Sequence, residues 1–185
     1  MQLSLSVRHQ LAYMTRKEQL LRRSRTLLLA FIIGLVLSGL TAFPLETELR
    51  WVTGFLGAGP GAQPADMPGV LRWLVTVRDA LSETNARFPF LAYGTDWLAF
   101  AHLVIAVAFI GPLRDPVRNA WVVRFGLIAC AAVIPLALIA GAMRGIPLYW
   151  RLIDCTFGLG GAALLWPCDL AIRELEQPSS APLGV

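Results

Sequence analysis

An all-α protein that crosses a membrane four times, with one amphipathic helix outside it, is the fold class the sequence predicts. Three observations carry this expectation. The 185 residues are 56% hydrophobic and 15% charged, with a mean hydropathy of +0.61, far from the ~25% charge of globular domains. Four long apolar runs follow one another, separated by segments rich in Pro, Gly and charge. The basic residues gather on one side of those runs, as the positive-inside rule requires.

Residues 1–25 hold Arg8, Arg16, Lys17, Arg22, Arg23 and Arg25 against one acid, Glu18. Leu11, Met14 and Leu21 fall near helical spacing, so this segment reads as a basic amphipathic surface helix or as a stop to translocation. The net charge of +4 and pI of about 9.4 do not point to nucleic acid, because six of the sixteen basic residues sit in this one membrane flank. Leu27–Phe43 is free of charge and ends at Pro44. It is short for a span, and Thr26 and Leu45 can extend it. A signal peptide would have an unusually long basic region here, and Leu40 stands where cleavage needs a small residue. A retained anchor with a cytoplasmic N-terminus is expected.

Residues 45–89 form the one long loop, placed outside. Gly57–Pro64 breaks the chain. After it, Asp66 is expected to cap a helix with Pro68 in its first turn. Val70, Trp73, Leu74, Val77 and Leu81 would line its apolar face, and Phe88-Pro89 would end it.

The second span is expected over about 90–110, followed by a turn bearing Arg114 and Arg118. The third covers about 121–143 with Pro135 inside it, implying a kink whose freed carbonyl needs a partner from a neighbouring helix. The fourth, about 147–166, is closed by Pro167. With Arg124 and Arg173 the inner side carries ten basic residues and the outer side six. Both termini are therefore expected in the cytoplasm of a bacterial cell. The membrane domain spans 26–176, and the Pro/Ser-rich stretch 177–185 reads as a disordered tail.

Ionisable groups inside such spans are costly and need a reason. Asp96 and His102 open the second span, ~120° apart around the helix and ~9 Å apart along it, bracketing Ala99 and Ala106. Arg151, Asp154, Gly158 and Gly161 share a face of the fourth span at spacings of three, four and three. Gly158, Gly160 and Gly161 would admit a neighbouring helix closely. Arg151, one turn before Asp154, is its natural partner, with Arg144 as another and as a candidate for Asp96.

The cluster Asp96, His102, Arg144, Arg151 and Asp154 has two readings. One is a set of ion pairs that pin helices in register. The other is a small pocket open to the outside, suited to an anionic lipid or quinone headgroup or to proton relay. One histidine with two distant carboxylates does not match metal-ligand spacing, so neither metal nor cofactor is expected. His102 could hold one face of a haem only with help from a second chain. Cys130, Cys155 and Cys168 form no CxxC pair and read as small buried apolar side chains.

The runs Gly94–His102 and Arg144–Pro147 with Trp150–Gly158 resemble an uncharacterised class of small bacterial four-span membrane proteins. A weaker similarity links the chain to VanZ-like proteins, whose second span opens with Asp and then His and whose last span carries Asp before a Gly-rich stretch. Asp96, His102, Asp154 and Gly158 are the matching positions. The spacing from Asp96 to His102 is longer than that pattern, and its acidic–glutamine element before the last span is missing.

The expectation is thus a non-catalytic accessory or scaffold subunit in a cytoplasmic-membrane complex, in contact with lipid and with partner subunits. The alternative is a binding protein, carrier or enzyme for a small molecule or lipid headgroup that uses the polar cluster. No reaction is assigned.

Overall fold

A computed structural model describes residues 5–59 and 61–177. Residues 1–4 of the basic segment and 178–185 of the tail lie outside the described residues. No strand occurs among those described, and four helices are long and apolar enough to cross a membrane. The all-α, multi-pass architecture stands on that.

The helices are α1 (Leu5–Ala42), α2 (Leu45–Phe55), α3 (Gly69–Arg87), α4 (Tyr93–Ala108), α5 (Ile110–Arg114), α6 (Ala120–Pro135), α7 (Gly141–Met143) and α8 (Leu148–Glu176). The spanning segments are Tyr13–Ala42, Pro89–Arg114, Ala120–Met143 and Leu148–Glu176. The chain divides into two compact units, one of Met1–Ile33 with Val107–Val185 and the other of Gly34–Ala106.

The first unit is built on α6 and α8. In lipid, burying apolar side chains drives little association, because the tails are as apolar as leucine, and close packing has to do more. Glycine provides it. A Cβ on Gly158 would stand 2.5 Å from the Cys130 carbonyl oxygen, and one on Gly161 2.6 Å from Cys130 Sγ. Gly126 makes room for Phe109 and Leu165 in the same way. Gly160 faces open space and takes no part in this, contrary to expectation. Leu20, Ser24 and Leu28 of α1, at four-residue spacing, are buried in this unit, and Phe31 stacks on Phe109 with ring centroids 4.7 Å apart. All three cysteines are buried free thiols.

Two prolines behave differently from expectation. Pro167 does not close α8, which runs on to Glu176, about 43 Å in all. Cys168, Asp169, Ala171 and Ile172 beyond the proline are all buried, and that packing holds the helix together past the missing N–H. After Pro135 the chain widens into a π turn, Leu136–Ala140, rather than only kinking. A side chain from α8 does reach into it, Arg151 Nη1 donating to the Leu138 carbonyl at 3.2 Å.

The basic N-terminal residues form no separate surface helix. From Leu5 they are continuous with the first span, and Arg16 pairs with Glu174 at 2.9 Å.

In the second unit the loop 45–89 is a helical hairpin. Helix α2 occupies a stretch that the sequence pattern leaves as loop. It follows α1 after a two-residue turn at Phe43-Pro44, with Glu46 and Glu48 in its first turn, where the helix dipole favours acids. Gly57, at φ +84°, ends it: Ala58 N–H donates back to Thr53 and Gly57 N–H to Gly54. Helix α3 starts at Gly69, after Pro68, so Asp66 lies in a 3₁₀ turn and not at the cap. Its buried face carries Val75 and Arg78, while Val70 is exposed. Facing α2 rather than a bare membrane surface turns the helix that way. Within this unit α1 and α4 touch where a Cβ on Gly39 would meet the Ala99 carbonyl at 2.9 Å.

Candidate functional site

The last turn of α1 and the first turns of α4 leave a cleft between them, closed above by α2 and α3. Its volume is about 330 Å³. Phe43, Leu45, Leu81 and Leu91 supply apolar wall, and Thr47, Thr84 and Thr95 supply hydroxyls. The ionisable groups of the lining are two carboxylates, Glu46 and Asp96, without a cation.

Each acid is positioned by a local sequence feature. Pro44 turns the chain so that Glu46 falls in the first turn of α2, and Asn85, from the buried side of α3, donates to its carboxylate at 2.7 Å. Arg50, one turn further along α2, makes a close ion pair with the same carboxylate. The Asn85 amide first, and Arg50 second, hold the Glu46 carboxyl below the usual carboxylate range, against the effect of burial. Glu46 is therefore anionic at neutral pH, with its charge partly answered. Asp96 sits in the first turn of α4, half-buried, and among the described residues it has no ion-pair partner within 4 Å.

The five residues expected to cluster fall in both units and are found in different settings. Asp96 lines the cleft, and His102 of the same unit does not. His102 Nδ1 lies 2.8 Å from the Leu98 carbonyl oxygen, so that nitrogen carries a hydrogen and donates it within its own helix. Ala99 and Ala106, bracketed by this pair, are both buried, so the stripe they mark is the packed face of α4.

In the other unit Arg144 is exposed, and Arg151 and Asp154 are half-buried. The ion pair expected between Arg151 and Asp154 does not form, because Arg151 gives a guanidinium N–H to Leu138 instead and Gly141 accommodates its stem. Arg151 Nε is buried without a hydrogen-bond partner.

Two charged groups that sequence reasoning left aside prove to be the most deeply paired. Asp169, 3% exposed, accepts from Arg124 at 3.1 Å and from Arg173 at 2.7 Å. Arg78, 7% exposed, donates to Asp79, to Thr53 and to the Ala58 carbonyl, tying the end of α2 onto α3. The i,i+4 spacing of Asp169 and Arg173 is a signal that could have been read. So was Pro44-Leu-Glu46, which has the form of a helix start.

Among the described residues no three His, Cys, Asp or Glu side chains come close enough to share a metal ion. What the cleft can do chemically is attract positive charge and offer hydroxyl and amide hydrogen bonds. It presents no cysteine or histidine nucleophile in its lining. Comparison with models of protein families, with curated proteins and with solved structures finds no match to the chain.

Proposed function

We propose that this chain is a binding protein of the bacterial cytoplasmic membrane, with both termini inside, that holds a small cationic group in the cleft beside α4. The observation that carries this is Asp96, a carboxylate without an ion-pair partner among the described residues, opening onto a cavity that a second carboxylate shares. An ionised acid near the end of a span is costly unless water or a counter-charge answers it. The sign of the ligand reverses the sequence expectation of an anionic headgroup, since neither Arg144 nor Arg151 lines the cleft. Apolar wall beside paired acids suits an amine that carries a hydrocarbon chain, such as an amine-bearing lipid headgroup.

Thermal unfolding of the purified protein with octylamine, against octanoate as the anionic control, tests this. A ligand at a hundred times its Kd stabilises by about 2.7 kcal/mol. Octylamine is expected to raise the melting temperature, and Asp96→Asn to remove the rise. Equal effects of octylamine and octanoate would refute the site. Orientation is tested separately: cysteines introduced at Gln63 and Ser179 should label from opposite sides of the membrane.

The accessory-subunit reading is the second proposal. It would need a partner protein, in place of lipid, over the exposed aromatic side chains of α2, Trp51 and Phe55.

A further inference from the structure

Helix α2 is too short to cross a membrane, at 11 residues, yet one of its faces is apolar and uncovered. Trp51 is 74% exposed and Phe55 92%, with Val52 beside them. The opposite face is occupied: Thr53 is buried, its hydroxyl accepts from Arg78 at 3.1 Å, and Glu46 is held by Asn85. Rotation of the helix to hide Trp51 and Phe55 would therefore break the hairpin.

The level of the strip follows from connectivity. Only Phe43 and Pro44 separate α2 from the end of the first span, so α2 leaves the chain where hydrocarbon gives way to headgroups. Within the same unit the second span begins with Phe90 and Tyr93, both exposed, and Tyr93 meets Trp97 edge to face with centroids 6.0 Å apart. Aromatic side chains of this kind concentrate at the membrane–water boundary. Glu48, on the strip's own face one turn nearer α1, limits how deep the helix can sink and suits headgroup depth.

We propose that α2 lies in the plane of the membrane interface, with Trp51, Val52 and Phe55 immersed in lipid. The lipid bilayer is the occupant of this face. The helix then acts as a float that fixes the depth of the hairpin above the spans.

The test uses the full-length protein in vesicles of phosphatidylcholine and phosphatidylglycerol. Nitroxide labels are placed at single cysteines, Phe55→Cys or Gln63→Cys, with Cys130, Cys155 and Cys168 replaced by alanine. The Phe55 label should show a several-fold higher ratio of oxygen to nickel-chelate accessibility than the Gln63 label. Equal ratios would place α2 in water and overturn the proposal. Protection of Phe55 from both reagents would mean that a protein covers the strip, and would overturn it equally. Should the cysteine-free background not fold, the native protein and Trp51→Phe can be compared in lipids brominated near the headgroup. Native fluorescence should be quenched and the variant should lose a quenched component; an unchanged quenched fraction refutes immersion.

Discussion

Two carboxylates, one in each unit of this chain, are answered in opposite ways. In the unit of α6 and α8, Asp169 is enclosed and answered by two arginines, and the helices approach closely at Gly158 and Gly161. In the unit of residues 34–106, Asp96 is half-buried beside a cavity and has no ion-pair partner among the described residues, although the same unit holds Arg78, which donates to Asp79, Thr53 and the Ala58 carbonyl. Polar groups in a low-dielectric setting are costly when unanswered and unremarkable when paired. A charge that is fully paired explains itself by structure. One that opens on a void calls for a ligand or water.

Substitutions can break this contrast, and the largest effect is expected at Asp169. Asp169→Asn removes a charge that two guanidinium groups share. Arg124 and Arg173 remain partly exposed and can regain water, so the loss should be about 2–3 kcal/mol and not the full cost of a stranded pair. Thermal unfolding in detergent measures it. Arg16→Gln, which opens the exposed and solvent-screened pair with Glu174, should lower the melting temperature far less. Similar losses in the two variants would argue that Asp169 is no more important than a surface acid.

Next comes the glycine seam. Gly158→Ala pushes a methyl group into the Cys130 carbonyl and should cost about 1–3 kcal/mol. Gly160→Ala meets nothing and should be neutral or slightly favourable, since alanine is the better helix former. The pair separates close packing from helix propensity, and equal melting temperatures would remove the packing account of α6 and α8.

A smaller, pH-dependent effect is expected in the hairpin. The Glu46 carboxyl is held below its ordinary range, so its contribution to stability is present above the unfolded value of about 4.3. It is lost as pH falls through the depressed folded value. Proteolysis of the 45–89 loop should therefore accelerate in that acidic window, and Glu46→Gln should flatten the profile. An unchanged profile in that variant would assign the acid sensitivity to another group.

The smallest effect on stability is expected at Asp96. Asp96→Asn should stay within about 0.5 kcal/mol of the native protein, because no ion pair is lost, while the response to octylamine disappears. A large destabilisation would move Asp96 into the same class as Asp169 and erase the difference between the two acids.

The amino-acid order alone determined the number and position of the spans. Hydropathy sums over a window of neighbours, so Leu27–Phe43 and the runs after Phe90, Trp121 and Pro147 are legible without knowing what they touch. The end of α3 at Phe88-Pro89 is local in the same sense, set by backbone chemistry within a few residues. The partners of the charges are not local. Arg151 and Asp154 share a helix face and still do not pair, because the π turn after Pro135 offers Arg151 a carbonyl 13 residues away. Glu46 and Asn85, 39 residues apart, meet only because α2 folds back on α3. Which side of α3 is buried, and whether Asp96 finds a cation or an open cleft, depend on how each helix is rotated against its neighbour. That rotation is decided by packing over long sequence separations, and only the tertiary structure contains it.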